Sequence, residues 1–129
     1  MEFLVPGWME ATSDNRVRLL AQCCNACGTV YFPKTALCKR CSSKDLAEVA
    51  IGPEAELHSF TTDRIGGFLR RPHLVANVRF AEGAFVQGYM DGPIDEAPPV
   101  VGSTVDVVPF EVEVKGEPGL TYAFRARKV

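Results

Sequence analysis

Five cysteines, all within residues 23–41, are the side chains whose type and spacing could do chemistry in this chain. Four of them form two C-x-x-C pairs, Cys24 with Cys27 and Cys38 with Cys41. Two such knuckles can place four thiolates in a tetrahedron, which is the geometry of closed structural zinc sites. The spacing therefore predicts one structural Zn2+ with no open coordination position. Iron in a rubredoxin-like site satisfies the same pattern.

Cys23 is the fifth cysteine and belongs to neither pair. We expect it to be a small strand residue packed beside the first knuckle. Two alternatives stay open: Cys23 replaces Cys24 as a ligand in a C-x-x-x-C arrangement, or it is a reactive thiol. An independent enzyme with a Cys23 nucleophile would need an adjacent base. The two histidines, His58 and His73, are isolated from it in the sequence.

The composition describes a globular protein without an excess of positive charge. Of the 129 residues, 47% are hydrophobic and 23% are charged, and the formal net charge is -2. Proteins that bind nucleic acids usually present a basic surface, so this balance counts against that class. No apolar run approaches the roughly 20 residues that span a bilayer. We therefore expect a cytoplasmic protein whose clustered cysteines hold a metal rather than disulfides.

Strand-like segments lead into the cysteines and follow them. The stretch RVRLLAQC alternates in polarity and should enter the first knuckle, whereas Trp8 and Met9 suggest a short, loosely helical segment before it. After the cysteines, five strand-like runs and no convincing helix predict a small antiparallel barrel, and a zinc module before such a barrel indicates an OB-type fold. We predict an all-β chain, with an N-terminal segment and zinc ribbon over residues 1–47 and a five-stranded OB-fold barrel over residues 48–129.

The order of motifs along the chain resembles the DUF35 family. The motifs are CNACGTVYFPKTALCKRC at 24–41, the hairpin VRFAEGAFVQGYM at 78–90, the run VGSTVDV at 101–107 and the terminal strand YAFRARK at 122–128. The resemblance covers nearly the whole chain. It implies a rubredoxin-like zinc ribbon joined to an OB-fold.

The resemblance also implies a function. Members of this family are typically small, non-catalytic subunits of thiolase-like enzymes, or of related aldolases and hydratases that act on CoA thioesters. The partner then supplies the reactive cysteine and binds most of the acyl-CoA. For this chain it implies a required subunit rather than an enzyme on its own, in a heterotetramer of two plus two chains.

Several residues are candidates for contact with CoA or with a partner. The loop DRIGGFLRRPH at 63–73 carries an aromatic side chain and adjacent arginines, and the zinc module carries further basic side chains. Arginine can bind phosphate through two donors. The alternative for each is a solvated surface position. The candidates are Phe68, Arg70, Arg71, Lys34 and Arg40.

A second function class is an OB-fold protein that binds single-stranded nucleic acid. Such proteins stack bases on aromatic side chains in a positively charged groove. The acidic stretch around Asp91, Asp95 and Glu96 counts against this class. The candidate aromatic residues, which could equally belong to a core, are Phe60, Phe80, Phe85 and Tyr89.

Overall fold

The chain folds into nine strands, seen in a computed structural model that describes residues 3–63, 73–91 and 98–127. Within those ranges there is no helix, and hence none long and apolar enough to cross a bilayer. The strands are β1 (Met9–Ala11), β2 (Val17–Cys24), β3 (Val30–Tyr31), β4 (Leu46–Ile51), β5 (Glu54–Asp63), β6 (His73–Arg79), β7 (Phe85–Tyr89), β8 (Thr104–Val114) and β9 (Glu117–Ala126).

The first sheet is built around β2, which carries the chain into the cysteine cluster. Strand β4 pairs antiparallel with β2 along one edge, while β1 and β3 pair with different parts of the other edge. Alternate residues of β2 are buried, namely Val17, Leu19 and Ala21. This period of two is what a strand with one core-facing side requires. The sheet is therefore fixed to the core at one end and to the cysteines at the other.

The second sheet has the strand order β7-β6-β5-β8-β9, and all four pairings are antiparallel. Its two outer strands meet, because Met90 forms a parallel bridge with Phe124, and the Asp91 N–H donates to the Phe124 carbonyl at 2.8 Å. The five strands thus curl into a barrel whose edges are protected by closure. The predicted all-β fold, a zinc ribbon followed by a five-stranded OB barrel, is confirmed.

The two sheets share one hydrophobic core. Fully buried side chains come from both sheets, and the largest of them are Phe80, Phe124, Leu19, Ile51 and Leu57. The predicted domain boundary after residue 47 falls inside β4. The division into residues 1–47 and 48–129 stays a prediction.

An ion-pair cluster also joins the sheets at the surface. The Arg16 guanidinium, just before β2, lies 3.1 Å from a carboxylate oxygen of Asp106 in β8. Arg127, just after β9, lies 2.8 Å from both Asp106 and Glu54. The Arg127 guanidinium, with Arg16 beside it, holds the pKa of the Asp106 carboxyl below its usual value. These residues fasten the start of β2 to the barrel.

The N-terminal segment corrects the expectation of a helix around Trp8 and Met9. Residues 9–11 form β1 instead, and Gly7, at φ 89°, makes a turn before it. A residue upstream pairs with the barrel, because the Leu4 N–H donates to the Leu120 carbonyl at 2.8 Å. Strand pairing gives hydrogen-bond partners to backbone N–H and C=O groups that a helix of a few residues would leave without partners. We call residues 3–8 the N-terminal strap.

Candidate metal centre

Two tight turns position the four paired cysteines. In the first knuckle, the Gly28 N–H donates to the Cys24 carbonyl at 2.8 Å, and Gly28 adopts φ 79°. In the second, the Ser42 N–H donates to the Cys38 carbonyl at 3.0 Å, and Ser42 adopts φ 64°. Residues at such positive φ values are usually glycine, so Gly28 suits its turn and Ser42 carries a small cost. The two knuckles therefore share one backbone geometry.

The four sulfur atoms are brought together in a group that fits one zinc ion. All lie within 4.8 Å of one another. The Cys24 and Cys41 sulfurs are 3.5 Å apart, and the Cys27 and Cys38 sulfurs are 3.7 Å apart. A tetrahedron with zinc–sulfur bonds of about 2.3 Å has sulfur–sulfur edges of about 3.8 Å. The donor set and its size fit a structural Zn2+ with a complete coordination shell, as the spacing predicts.

The electrostatics of the cluster favour a divalent cation. The hydrogen bond between the Cys27 sulfur and the Thr29 hydroxyl lowers the pKa of Cys27 to about 6. The Ser43 N–H lowers the pKa of Cys41, but the neighbouring sulfurs, Cys24 first among them, outweigh it and raise that pKa to about 12. Four thiolates this close repel one another in the absence of a cation. A bound Zn2+ removes that repulsion and lets all four sulfurs ionise.

A set of hydrogen-bonded residues next to the cysteine cluster orders the segment between the two knuckles. The Tyr31 hydroxyl donates to the Gln22 side-chain oxygen at 2.6 Å, and the Thr35 N–H donates to the same oxygen at 2.9 Å. The Lys39 ammonium lies 5.7 Å from the centre of the Tyr31 ring. Sequence reasoning missed this group, because nothing in the spacing of Gln22 marks it as a partner of Tyr31. Their direct pairing across β2 and β3 brings them together.

The predicted contact residues have different outcomes. Phe68, Arg70 and Arg71 lie outside the described residues. The Lys34 ammonium lies 2.5 Å from a Glu48 carboxylate oxygen, so its charge is already paired. Arg40 is exposed. Contacts of all these side chains with CoA or with a partner stay predictions.

Cys23 lies outside the group of four sulfurs. It is half-buried in β2, between the register positions of Val30 and Ala47 on the two neighbouring strands. Its sulfur lies 3.9 Å from the Cys24 carbonyl oxygen. This is the placement of a small strand residue beside the first knuckle, which was the main expectation for it.

The aromatic residues considered for base stacking do not form a common exposed platform. Phe80 is 1% exposed and belongs to the core, so it cannot stack on a ligand. Phe60 and Tyr89 are half-buried. Phe85 is 56% exposed and lies edge-on to His58, with ring centres 5.3 Å apart. One exposed ring is less than the series of stacking surfaces that single-strand binding uses.

Comparisons with known proteins match both parts of this fold. A family model described as the ChsH2 rubredoxin-like zinc ribbon domain matches residues 16–47. A DUF35 domain-containing scaffold protein of Methanothermobacter thermautotrophicus is 30% identical over 119 residues, covering 85% of this chain and 86% of that protein. The benzoylsuccinyl-CoA thiolase subunit BbsA of Thauera aromatica is 26% identical over 131 residues, covering 95% of this chain and 87% of BbsA.

A solved structure has a similar fold over most of the chain. The Ltp2-ChsH2(DUF35) aldolase structure is similar to this chain with a TM-score of 0.61 and 24% identity, and the match covers 84% of each chain. At that identity the likeness shows the fold alone.

Proposed function

Because this chain belongs to the DUF35 family, we propose that it is a non-catalytic, zinc-binding subunit of a thiolase-type complex that acts on a CoA thioester. The observation that carries the proposal is the similarity to BbsA, a thiolase subunit, over 95% of this chain. The zinc ribbon and the barrel would support the catalytic partner.

The chemistry of the cysteines supports this division of labour. A zinc ion held by four thiolates has no position left for a substrate or for a reactive water. The same sulfurs are unavailable as nucleophiles while they bind the metal. Cys23 is half-buried in a strand, and the hydrogen-bond partner that the described residues give its sulfur is the Cys24 carbonyl, which is not a base. The reactive cysteine would therefore belong to the partner, and this chain would be a required subunit rather than an enzyme on its own.

The proposed complex contains two copies of each chain, and the partner holds most of the acyl-CoA. Charged and aromatic side chains of this chain would meet CoA or the partner at the edge of the binding site. Guanidinium groups suit this role, because they can bind phosphate through two parallel hydrogen bonds. The proposed contact residues are Phe68, Arg70, Arg71, Lys34 and Arg40.

Co-expression tests the proposal directly. The chain is produced with a thiolase-like protein encoded near it, and the purified material is examined by gel filtration with light scattering and by thiolysis of acyl-CoA. We expect a complex of two plus two chains, and partner activity that falls at least tenfold when this chain is omitted. A chain that elutes alone beside a fully active thiolase would overturn the proposal, and retention of a single-stranded oligonucleotide would favour the nucleic-acid alternative.

Two variants separate a structural contribution of the zinc ribbon from a general loss of folding. Cys38→Ser should lose the metal and the complex together, because Cys38 is a buried member of the sulfur group. Cys23→Ser changes the same chemical group outside the cluster and should keep both. Loss of the complex in both variants would indicate that any change near the knuckle disrupts folding.

An aldolase or a hydratase acting on CoA thioesters is the alternative partner class. The resemblance to the DUF35 family keeps this class open, because members of that family also associate with such enzymes. Co-purification decides between the classes, because the partner that binds is identified by mass and then assayed for thiolysis, for retro-aldol cleavage or for hydration.

A further inference from the structure

A half-open cavity of about 400 Å³ lies where the outer barrel strands β7 and β9 face each other, and no cysteine is among its described lining residues. The N-terminal strap contributes one wall of it through Trp8. The described residues that line the cavity are Trp8, Val75, Gln87, Gly88, Tyr89, Thr121 and Tyr122. The four paired cysteines, Lys34 and Arg40 are not among these residues.

The walls of the cavity are held in place by contacts between rings. Trp8 lies edge-on to Phe32 with ring centres 5.2 Å apart, and Phe32 lies edge-on to Tyr122 at 5.7 Å. The Tyr122 hydroxyl donates to the Gln87 backbone carbonyl at 2.7 Å, which joins β9 to β7 across the cavity. Edge-to-face contacts and a hydrogen bond restrict the rotamers of these side chains. The cavity is therefore largely formed before anything binds.

The described residues of the lining carry no formal charge. None of the seven residues is acidic or basic, and burial raises the pKa of Tyr122 to about 12, so its phenol stays neutral at physiological pH. Two uncharged polar side chains, Gln87 and Thr121, supply hydrogen-bonding groups among the rings. A charged ligand in contact with these seven residues would lose hydration without gaining a counter-charge from any of them.

We propose that this cavity, the ring pocket, binds an uncharged, flat ring system of a small molecule, which packs against Trp8 and Tyr122 and meets the amide of Gln87 or the hydroxyl of Thr121. The volume lies in the range of small-molecule sites, which are typically apolar with a few polar groups. Aromatic walls favour flat rings, which they contact by stacking or edge-on. The proposal rests on the cavity alone and does not depend on the thiolase partner.

The chain contains an intrinsic fluorophore that can report on binding in this pocket. Trp8 is its only tryptophan and lies in the wall. The zinc-loaded, full-length chain is titrated with the neutral probe N-phenyl-1-naphthylamine, while Trp8 emission and probe emission are recorded. We expect saturable quenching of Trp8 with one probe per chain. The matched anionic probe, 8-anilinonaphthalene-1-sulfonate, has the same rings with a sulfonate added and should bind at least tenfold more weakly.

Substitutions test whether the probe binds in the ring pocket. Val75→Phe fills the cavity from β6 and should weaken binding of the neutral probe at least tenfold. Val101→Phe adds the same ring at a position that is 57% exposed and does not line the cavity, and should leave binding unchanged. Thr121→Phe fills the cavity from β9 and replaces Val75→Phe if that variant does not fold, as judged by zinc content and by the thermal transition.

Three results would overturn the proposal. The first is unsaturable binding, which indicates adsorption to the surface. The second is equal affinity for the neutral and the anionic probe, which would show that the pocket does not favour uncharged ligands. The third is unchanged affinity in a folded, cavity-filling variant, which places the probe elsewhere.

Discussion

The sulfur of Cys24 lies 3.5 Å from the sulfur of Cys41, although the two residues are 17 positions apart in the sequence. Little buried apolar surface surrounds them, because the local cluster consists of Cys24, Tyr31 and Cys38, with Leu46 packed against it. A cluster of this size cannot offset the entropy of ordering two turns and the segment between them. The metal must therefore supply most of the free energy that folds this end of the first sheet.

Cys38→Ser is expected to abolish stoichiometric zinc binding and to unfold the two knuckles. Structural zinc contributes about 10–16 kcal/mol of apparent binding free energy in isolated zinc-finger peptides, and the substitution removes one of the four thiolates that supply it. The zinc content is measured by mass spectrometry after gel filtration, and the order of residues 24–45 by amide NMR. Wild type should hold about one zinc per chain.

Cys23→Ser is the matched control for that prediction, because it changes a neighbouring thiol that lies outside the group of four. It should keep about one zinc per chain and an unchanged thermal transition. A Cys38→Ser chain that retains stoichiometric zinc, or a metal-free wild type with ordered knuckles, would contradict the assignment.

Tyr31→Phe is expected to speed zinc loss without changing the ligands. The substitution removes the hydroxyl that donates to the Gln22 oxygen at 2.6 Å and that also hydrogen-bonds the Thr35 hydroxyl at 2.8 Å, while the Thr35 N–H keeps its bond to the Gln22 oxygen. Loss of these bonds should cost at least about 1 kcal/mol, which corresponds to roughly fivefold or faster opening of the loop between the knuckles. Zinc transfer to a chromogenic chelator measures the rate. Equal rates in wild type and Tyr31→Phe would show that the loop opens without breaking these bonds.

Local patterns made the cysteine cluster and the barrel strands predictable. A C-x-x-C turn involves four consecutive residues, so the spacing of Cys24 and Cys27 predicts their knuckle without knowledge of the rest of the fold. The strands follow from polarity that alternates along each run, as in β2 of the first sheet and β5 of the barrel. Such signals lie within a few residues of one another.

Contacts between distant segments account for what the sequence did not reveal. Arg16 meets Asp106 across 90 residues of chain, and no periodicity in either segment indicates that pairing. The three residues of β1 become a strand because β2 offers them an edge, whereas their own pattern is too short to decide between helix and strand. The ring pocket likewise exists only once Trp8 reaches Tyr122 through Phe32.

Asp106→Asn is expected to destabilise the chain at neutral pH but not in acid. The native pKa of Asp106 is depressed, first by Arg127, so the carboxylate contributes stability above its unfolded pKa, near 3.8, and loses it as the pH falls through the lower native pKa. At pH 7 the loss should be about 1 kcal/mol, since partly exposed ion pairs are weakened by solvent. Urea unfolding of zinc-loaded protein between pH 7 and pH 2.5 measures the difference between the two chains.

The comparison with wild type is essential here, because acid also protonates the zinc thiolates in both chains. The free-energy difference should be constant from pH 7 to about pH 5 and should shrink below about pH 4. It should also decrease in high salt, which screens exposed charges. A difference that grows as the pH falls would assign the effect of Asp106 to packing rather than to its charge.

Gly119→Ala is expected to loosen the N-terminal strap rather than the barrel. A Cβ at this buried position of β9 would lie 2.8 Å from the Leu4 Cγ and would contact the Leu4 Cδ2 still more closely. Leu4 is 39% exposed, and the atoms that the new Cβ would contact lie at the end of its flexible side chain. The strap can therefore move more easily than β9. The overlap should cost about 1–2 kcal/mol, and it should shift the emission of Trp8 to the red because the strap carries that indole.

The double variant Leu4→Ala/Gly119→Ala decides whether this contact is the cause. Leu4→Ala alone removes a partly exposed side chain and should cost about 1 kcal/mol or less. If the Cβ at position 119 acts by striking Leu4, the double variant is more stable than the sum of the single variants predicts, by about 1 kcal/mol. Additive free energies of unfolding, or a Gly119→Ala emission spectrum identical to that of wild type, would place the cost in β9 itself and leave the strap where it lies.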